Sequence, residues 1–171
     1  MQNMLIDPLK NWKSYNQLIE KINSNNGPIA TYGIVDESIG HINYAINEHV
    51  KKPVLIVTYD EMKAKKIYED INKLNGDKAE LFENREIIFY KVDAISSERL
   101  VNRLKVLSRV IKGEPIIVVA HIEALLNKIM NPDIYGSHFI CIDKEDTIDV
   151  EDLTNKFIQC GYEREHMVEA V

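Results

Sequence analysis

The sequence predicts an α/β fold: a mainly parallel sheet flanked by helices, carrying a degenerate phosphate loop and followed by the start of a small second α+β domain. Three observations predict it. Strand-sized apolar runs alternate with amphipathic stretches through about residue 136, the pattern of βαβ units. Two of the runs, Val54–Thr58 and Pro115–Ala120, are short, continuous and β-branched, as expected of strands covered on both faces. Finally, Pro28–Val50 reads as strand, loop and helix. A short apolar run ends at Gly33, a polar and acidic loop follows, and Ile39, Ile42, Ile46 and Val50 then recur at helical spacing.

Pro8–Ser24 carries Leu9, Trp12, Leu18, Ile19 and Ile22 among polar residues and reads as an amphipathic helix, with Pro8 in its first turn. Asn23–Pro28 breaks the chain, Ile29–Tyr32 is the first strand, and the next helix runs from about Ser38 to Val50. After the Val54–Thr58 strand, Thr58 and Glu61 fit a capping box for a helix whose core residues are Ala64, Ile67, Ile71 and Leu74. Ala79–Phe82 and Glu86–Tyr90 are short strand candidates. Ser96 is placed to cap a helix with Leu100, Leu104, Leu107 and Ile111 on one face. The Pro115–Ala120 strand leads into a short helix over His121–Ile129, and Asn131–Gly136 is the expected domain boundary. Beyond it, Phe139–Ile142 reads as a strand, Val150–Cys160 as a helix capped by Asp149 and stopped by Gly161, and residues 162–171 as extended chain.

A length of 171 residues suits one domain, or one domain and part of another. Apolar residues make up 45% and charged residues 28%, the balance of a soluble globular protein. No apolar run approaches a membrane span and the N-terminus lacks the features of a secretory signal, so a cytoplasmic protein without a membrane partner is expected. Cys141 and Cys160 read as reduced thiols. The net charge of −6 argues against a nucleic-acid-binding module, because such binding rests on cations that neutralise phosphates. Two basic clusters, Lys63/Lys65/Lys66 and Arg99/Arg103/Lys105/Arg109, read as solvated faces of amphipathic helices.

A working phosphate loop needs glycines that let backbone N–H groups converge, a Lys for the β and γ phosphates, and a Ser or Thr for magnesium. No Gly-Lys-Ser/Thr occurs in this chain, and Asp36 and Glu37 occupy the loop, where their charge repels a triphosphate. The expectation is a nucleotide-binding fold without nucleotide, hence no cofactor. Asp143 ends an apolar run, but without a phosphate loop a metal there has nothing to bridge. His41, His49, His121, His138 and His166 lack metal-motif partners, so neither a metal site nor a catalytic residue is assigned. The alternative is a helicase- or ATPase-like nucleotide-binding domain with an atypical phosphate loop.

The segment order resembles the N-terminal, UvrB-like module of the bacterial transcription-repair coupling factor, Mfd. Lys51–Thr58 followed by Ala64–Asp70 is similar to that family's second strand and helix. Ser97-Glu-Arg-Leu and Gly113–Ala120 are similar to its next helix and strand, and Gly161–Ala170 is the most specific piece. The resemblance runs from about Pro28 to the end. It implies a UvrB domain 1A-like domain over residues 1–136 and the truncated first part of domain 2 over 137–171. Gly33–Gly40 then falls on a degenerate Walker A loop, with Ile39 where UvrB has its Lys, Gly40 where it has Thr, and Asp36 where the family usually keeps a glycine. The loop positions of interest are thus Gly33, Asp36, Glu37, Ile39 and Gly40. Leu81–Ser97 is too short for UvrB's tyrosine-rich hairpin, which favours the coupling factor over UvrB.

The resemblance implies a module without enzymatic activity in an ATP-driven translocase whose motor lies elsewhere. Its implied partners are UvrA, which it recruits in transcription-coupled repair, and the other domains of the parent, which it helps hold in a resting, autoinhibited state. RNA polymerase and DNA are implied partners only through the parent. The main UvrA contacts are expected in the family's Gly-Glu-Phe-Ser-x-Arg-Gly-Gly continuation beyond Val171, and an unpaired strand edge is expected near residues 163–171.

Overall fold

The computed structural model describes residues 4–25, 27–84, 97–138, 140, 142 and 144–165. The chain divides into two compact units, Met1–Lys128 and Ile129–Val171. The division falls before Asn131–Gly136, the expected boundary, and that segment forms a helix inside the second unit.

The first unit is built from α1 (Asp7–Lys10), α2 (Lys13–Ser24), α3 (Ile39–Val50), β1 (Val54–Thr58), α4 (Glu61–Leu74), β2 (Ala79–Phe82), α5 (Ser97–Ile111), β3 (Ile117–His121) and α6 (Ile122–Leu126). The single helix expected over Pro8–Ser24 is interrupted because Trp12 adopts an extended backbone. Asn16 Nδ2 donates to the Lys10 carbonyl at 2.7 Å and satisfies an acceptor that the break exposes.

The described strands form one parallel sheet in the order β1-β3-β2, with Val54 opposite Ile117 and Ala79 opposite the same residue from the other side. Alternation sends Val54, Ile56, Ile117, Val119, Ala79 and Leu81 to one face. There they pack with Tyr44 and Ala45 of α3 and Ala64, Ile67 and Ile71 of α4. Ile6 and Tyr15 close this core, and each large apolar side chain fully buried in it contributes about 1.5–3 kcal/mol. Phe82, Val118 and Ala120 face the other way, against Val106 of α5 and Ala124 of α6. That second layer stops short of β1: Leu55 and Val57, on the same face, remain 55% and 48% exposed.

Helix α5 is rotated from the expected phase. Val106 and Arg103 are buried and Leu107, of the expected face, packs against the second layer, whereas Leu100, Leu104 and Ile111 are exposed. Glu80 of β2 accounts for the rotation, drawing Lys105 Nζ to 3.0 Å and Arg109 to 2.6 Å. Arg103 is then turned under the helix. Its guanidinium lies 3.9 Å from the Phe82 ring centroid and donates to the carbonyls of Glu83 and Ala124.

The expected strand Ile29–Tyr32 has no strand pairing among the described residues. Residues 29–35 carry no regular structure and are exposed throughout. A run that buries so little apolar area gains little to offset the entropy of ordering a strand. The cap of α4 is also shifted: Asp60, not Thr58, accepts from the Lys63 N–H at 2.7 Å, and Thr58 Oγ1 donates to the Asp60 carbonyl.

At the α3–β1 junction, Lys51 takes a left-handed backbone and the buried Asn47 donates from Nδ2 to the Lys52 carbonyl at 2.8 Å. Among the described residues the buried Asn47 Oδ1 has no hydrogen-bond partner.

In the second unit, Asn131 caps α7 (Pro132–Ser137) and Asp149 caps α8 (Val150–Gln159), as its sequence context predicts. Gly161, at φ +92°, follows the end of α8, and Tyr162 meets Phe157 edge-on at 5.4 Å. The strand candidate Glu86–Tyr90, Phe139 and Cys141 of the candidate Phe139–Ile142, the Ser96 cap, Asp143, His166 and the last residues of the tail lie outside the described residues. Among the described residues no helix is long and apolar enough to cross a membrane.

Candidate functional site: a loop that supplies its own anions

The five loop positions flagged by the sequence divide by role. Gly33 has φ +77°, a left-handed conformation that glycine adopts without steric cost, and a Cβ there would meet nothing within 4 Å. Its requirement is conformational. Gly40 is the opposite case. It lies buried in the first turn of α3, and a Cβ there would sit 3.3 Å from Asp70 Cβ and 3.5 Å from Ile71 Cγ1. Glycine at this position sets how closely α3 approaches α4. Ile39 packs against the first-face core, so this loop position holds an apolar side chain turned to the interior.

Asp36 and Glu37 belong to a 3-10 turn, Asp36–Ser38, that runs directly into α3. They stand at the helix end whose dipole favours negative charge, the place where a bound phosphate usually sits. Each has a cation opposite it on α4. The two Asp36 carboxylate oxygens lie 3.1 and 3.2 Å from Lys63 Nζ. Glu37 Oε1 lies 4.0 Å from Lys66 Nζ. Hydrogen bonding to Asp36 holds the Lys63 ammonium above the ordinary lysine range, and the Tyr59 ring lies 5.3 Å from the same nitrogen. Two carboxylates thus meet two ammonium groups at the mouth of the loop. An incoming polyphosphate would have to displace the carboxylates from their lysines before using them.

Lys63 and Lys66 were not singled out in the sequence as partners of the loop. They read there as part of a solvated basic face. The available signal was their i, i+3 spacing at the start of a helix that follows the neighbouring strand, set against two consecutive carboxylates after Gly33. The second basic cluster is also engaged internally. Lys105 and Arg109 pair with Glu80, Arg109 also reaches Glu114 at 2.7 Å, and Arg103 is buried. The Glu114 and Glu80 carboxylates keep the Arg109 guanidinium above its usual range against the opposing effect of burial.

The described histidines are dispersed. His41 Nε2 donates to the Leu5 carbonyl at 2.6 Å, His138 Nδ1 donates to the Ile134 carbonyl at 2.8 Å, and the Tyr15 hydroxyl lies 2.7 Å from His49 Nδ1. His121, buried at the carboxyl end of β3, lies 3.9 Å from Glu123. Among the described residues no group of three or more His, Cys, Asp or Glu is placed to hold a metal ion.

No protein-family model matches the chain. Over 127 residues, 74% of its length, it is 28% identical to the transcription-repair-coupling factor of Bacillus subtilis (strain 168). The match spans 11% of that relative, so the matched part of the chain corresponds to about a ninth of the relative's length. It is therefore similar to one region of a transcription-repair coupling factor.

Proposed function

We propose that this chain is a non-catalytic, UvrB-like recruitment module of a transcription-repair coupling factor, acting in transcription-coupled nucleotide excision repair. The observation that carries the reading is the 28% identity to the Bacillus subtilis factor across most of the chain. The loop supports its non-catalytic character, because Asp36 and Glu37 occupy the anion position and engage Lys63 and Lys66. In this reading the module presents a UvrB-like surface to UvrA and packs against other domains of its parent in the resting state. DNA and RNA polymerase are met through the parent.

Two measurements test it. A native-state ligand must raise stability by mass action, by about 2.7 kcal/mol at a hundredfold excess over Kd. Magnesium–ATP at millimolar concentration is expected to leave the melting temperature unchanged. Immobilised UvrA is expected to retain a version of the chain lengthened past Val171 more strongly than the 171-residue chain. Saturable nucleotide binding that is lost on altering Gly33 or Gly40 would put the ATPase-like reading first. Failure of UvrA to retain either version would remove the recruitment role.

A further inference from the structure

We infer that Asn75–Gly76 is a site of spontaneous covalent modification, deamidation through a succinimide, and that its isoaspartyl product loosens the start of β2. The inference is independent of the proposed repair role.

The site is exposed by the way α4 ends. The helix stops at Leu74, and Asn75 follows with an extended backbone, φ −156° and ψ 101°, its N–H donating to the Ile71 carbonyl at 3.1 Å. Asn75, Gly76 and Asp77 are all exposed. Among the described residues the Gly76 N–H has no acceptor. A Cβ on residue 76 would meet nothing within 4 Å, and Gly76 does not use the left-handed region. Neither constraint that fixes Gly33 or Gly40 acts here. The missing side chain leaves an unhindered backbone nitrogen directly after a carboxamide-bearing residue.

The chemistry needs only water. The Gly76 nitrogen, on losing its proton to hydroxide, attacks Asn75 Cγ. A new N–Cγ bond closes a five-membered succinimide, the Cγ–Nδ2 bond breaks, and Nδ2 leaves as ammonia after taking a proton from water. Hydrolysis then opens the ring. Cleavage of the N–Cγ bond gives aspartate in a normal chain. Cleavage between the residue 75 carbonyl carbon and the Gly76 nitrogen gives isoaspartate, whose main chain runs through Cβ and Cγ and is one carbon longer. Overall one water is consumed and one ammonia released. Closure requires ψ of Asn75 to turn until the Gly76 nitrogen faces Cγ. The bonds that resist are weak: Asn75 Nδ2 to the Tyr44 hydroxyl at 3.4 Å, and Arg109 Nη1 to the Asp77 carbonyl at 3.5 Å.

The longer backbone falls in a loop pinned at both ends. Ile71 holds the Asn75 N–H. Asn72 clasps the start of β2, accepting from the Ala79 N–H at 2.8 Å and donating to the Ala79 carbonyl at 3.0 Å. Beside that clasp Lys78 pairs with Glu48 at 2.7 Å, and its carbonyl accepts from the Ile117 N–H at 3.0 Å. An extra carbon in so short a span displaces these bonds. The new carboxylate also lies at the carboxyl end of α4, where the helix dipole disfavours negative charge.

The test ages the folded 171-residue chain at 37 °C in neutral buffer, digests it with trypsin, and compares the peptide Leu74–Lys78 with synthetic aspartyl and isoaspartyl forms. Cleavage after Lys73 and Lys78 isolates Asn75 from the other Asn-Gly of the chain, Asn26–Gly27, which falls in Ile22–Lys51. Both products are expected in the native chain, isoaspartate in excess, at a rate within roughly fivefold of the urea-unfolded chain. Gly76→Ala should slow their formation roughly tenfold, because a Cβ crowds the attacking nitrogen. In the aged wild type, hydrogen exchange at the Ala79 amide should quicken roughly tenfold, while Val54, bonded to the Ile116 carbonyl, stays protected. Asn75→Asp, which adds the charge without the carbon, should leave Ala79 protected. Modification confined to the unfolded chain overturns the proposal, as does a Gly76→Ala rate equal to wild type. Unchanged Ala79 exchange after ageing, or an Asn75→Asp chain that loses Ala79 protection as fully as the aged one, overturns the role given to the longer backbone. Should Gly76→Ala lose the Val54 amide, Asn75→Gln, whose side chain is too long for the five-membered ring, takes its place, and product at residue 75 in that variant overturns the proposal.

Discussion

Replacing Gly40 by Thr would put a branched, hydroxyl-bearing side chain where α3 meets α4, and the structure predicts that the fold resists it. Two effects compete. Glycine inside a helix costs about 0.8–1.0 kcal/mol relative to Ala, so any side chain recovers part of that. Against it, even a bare Cβ would lie 3.3 Å from Asp70 Cβ and 3.5 Å from Ile71 Cγ1. Neither neighbour is a free side-chain end: Cβ of Asp70 is fixed to the α4 backbone, and Ile71 is fully buried. Relief therefore requires α3 and α4 to move apart, and overpacking of this kind typically costs about 1–3 kcal/mol. For Gly40→Ala the two effects nearly balance, leaving about 1 kcal/mol of destabilisation. Thr adds two further heavy atoms on Cβ and has poorer helix propensity, so about 3 kcal/mol is expected, a fall in Tm of roughly 6–12 °C for a chain of this size. Urea unfolding followed by circular dichroism, with Trp12 fluorescence reporting the first unit, measures both variants. A Gly40→Thr protein as stable as wild type would refute the argument that Gly40 serves helix approach.

Glu48 accepts from Lys51 at 2.6 Å and pairs with Lys78 at 2.7 Å, and those bonds hold its carboxyl below the usual carboxylate range. Its stabilisation is therefore fully present above the unfolded-state pKa and lost as pH falls through the lowered folded value. Glu48→Gln should cost about 1 kcal/mol at neutral pH, with the denaturation midpoints of the two proteins converging in acid. Burial pushes the Tyr15 phenol up to about 12. Its contribution holds below the unfolded pKa near 10 and is lost between there and 12, so a phenolate absorbance titration should show Tyr15 among the late-ionising tyrosines, and Tyr15→Phe should reduce the late step by one tyrosine. Arg103→Met should destabilise by about 2–4 kcal/mol, because the carbonyls of Glu83 and Ala124 lose a donor and Phe82 loses its stacked cation. A variant within error of wild type in urea would show that water replaces the guanidinium without cost.

What the sequence made legible follows from how local each determinant is. β1 and β2 appear at their predicted bounds, β3 starts two residues inside its predicted run and extends one residue past it to His121, and Asp149 caps α8, because continuous apolar runs and side-chain caps are written in neighbouring residues. The phase of α5 was not legible. Its leucine stripe predicts one buried face, and a carboxylate on β2, distant in sequence, selects another. Ile29–Tyr32 has the composition of a strand, but strand formation requires a partner edge, and composition does not supply one. In the loop, the charge of Asp36 and Glu37 was plain from the sequence. Its neutralisation by Lys63 and Lys66 was not, since those pairs close only when α4 folds back beside α3.

The Asn47–Lys52 hydrogen bond bears on the order in which the chain assembles. It closes a five-residue loop, and closing so short a loop carries a small entropic cost, so the turn out of α3 can form before any strand has found its neighbour. That turn decides which residue of 54–58 enters the sheet first. A slip of one residue would exchange Val54 and Ile56 with Leu55 and Val57 between the two faces. The register of a pairing between residues more than sixty positions apart, Val54 with Ile117, is thus prepared by a side chain seven residues upstream of it. Asn47→Ala should accordingly slow refolding in proportion to the stability it removes, whereas Ile117→Val, whose contacts await the distant strand, should act mainly on unfolding.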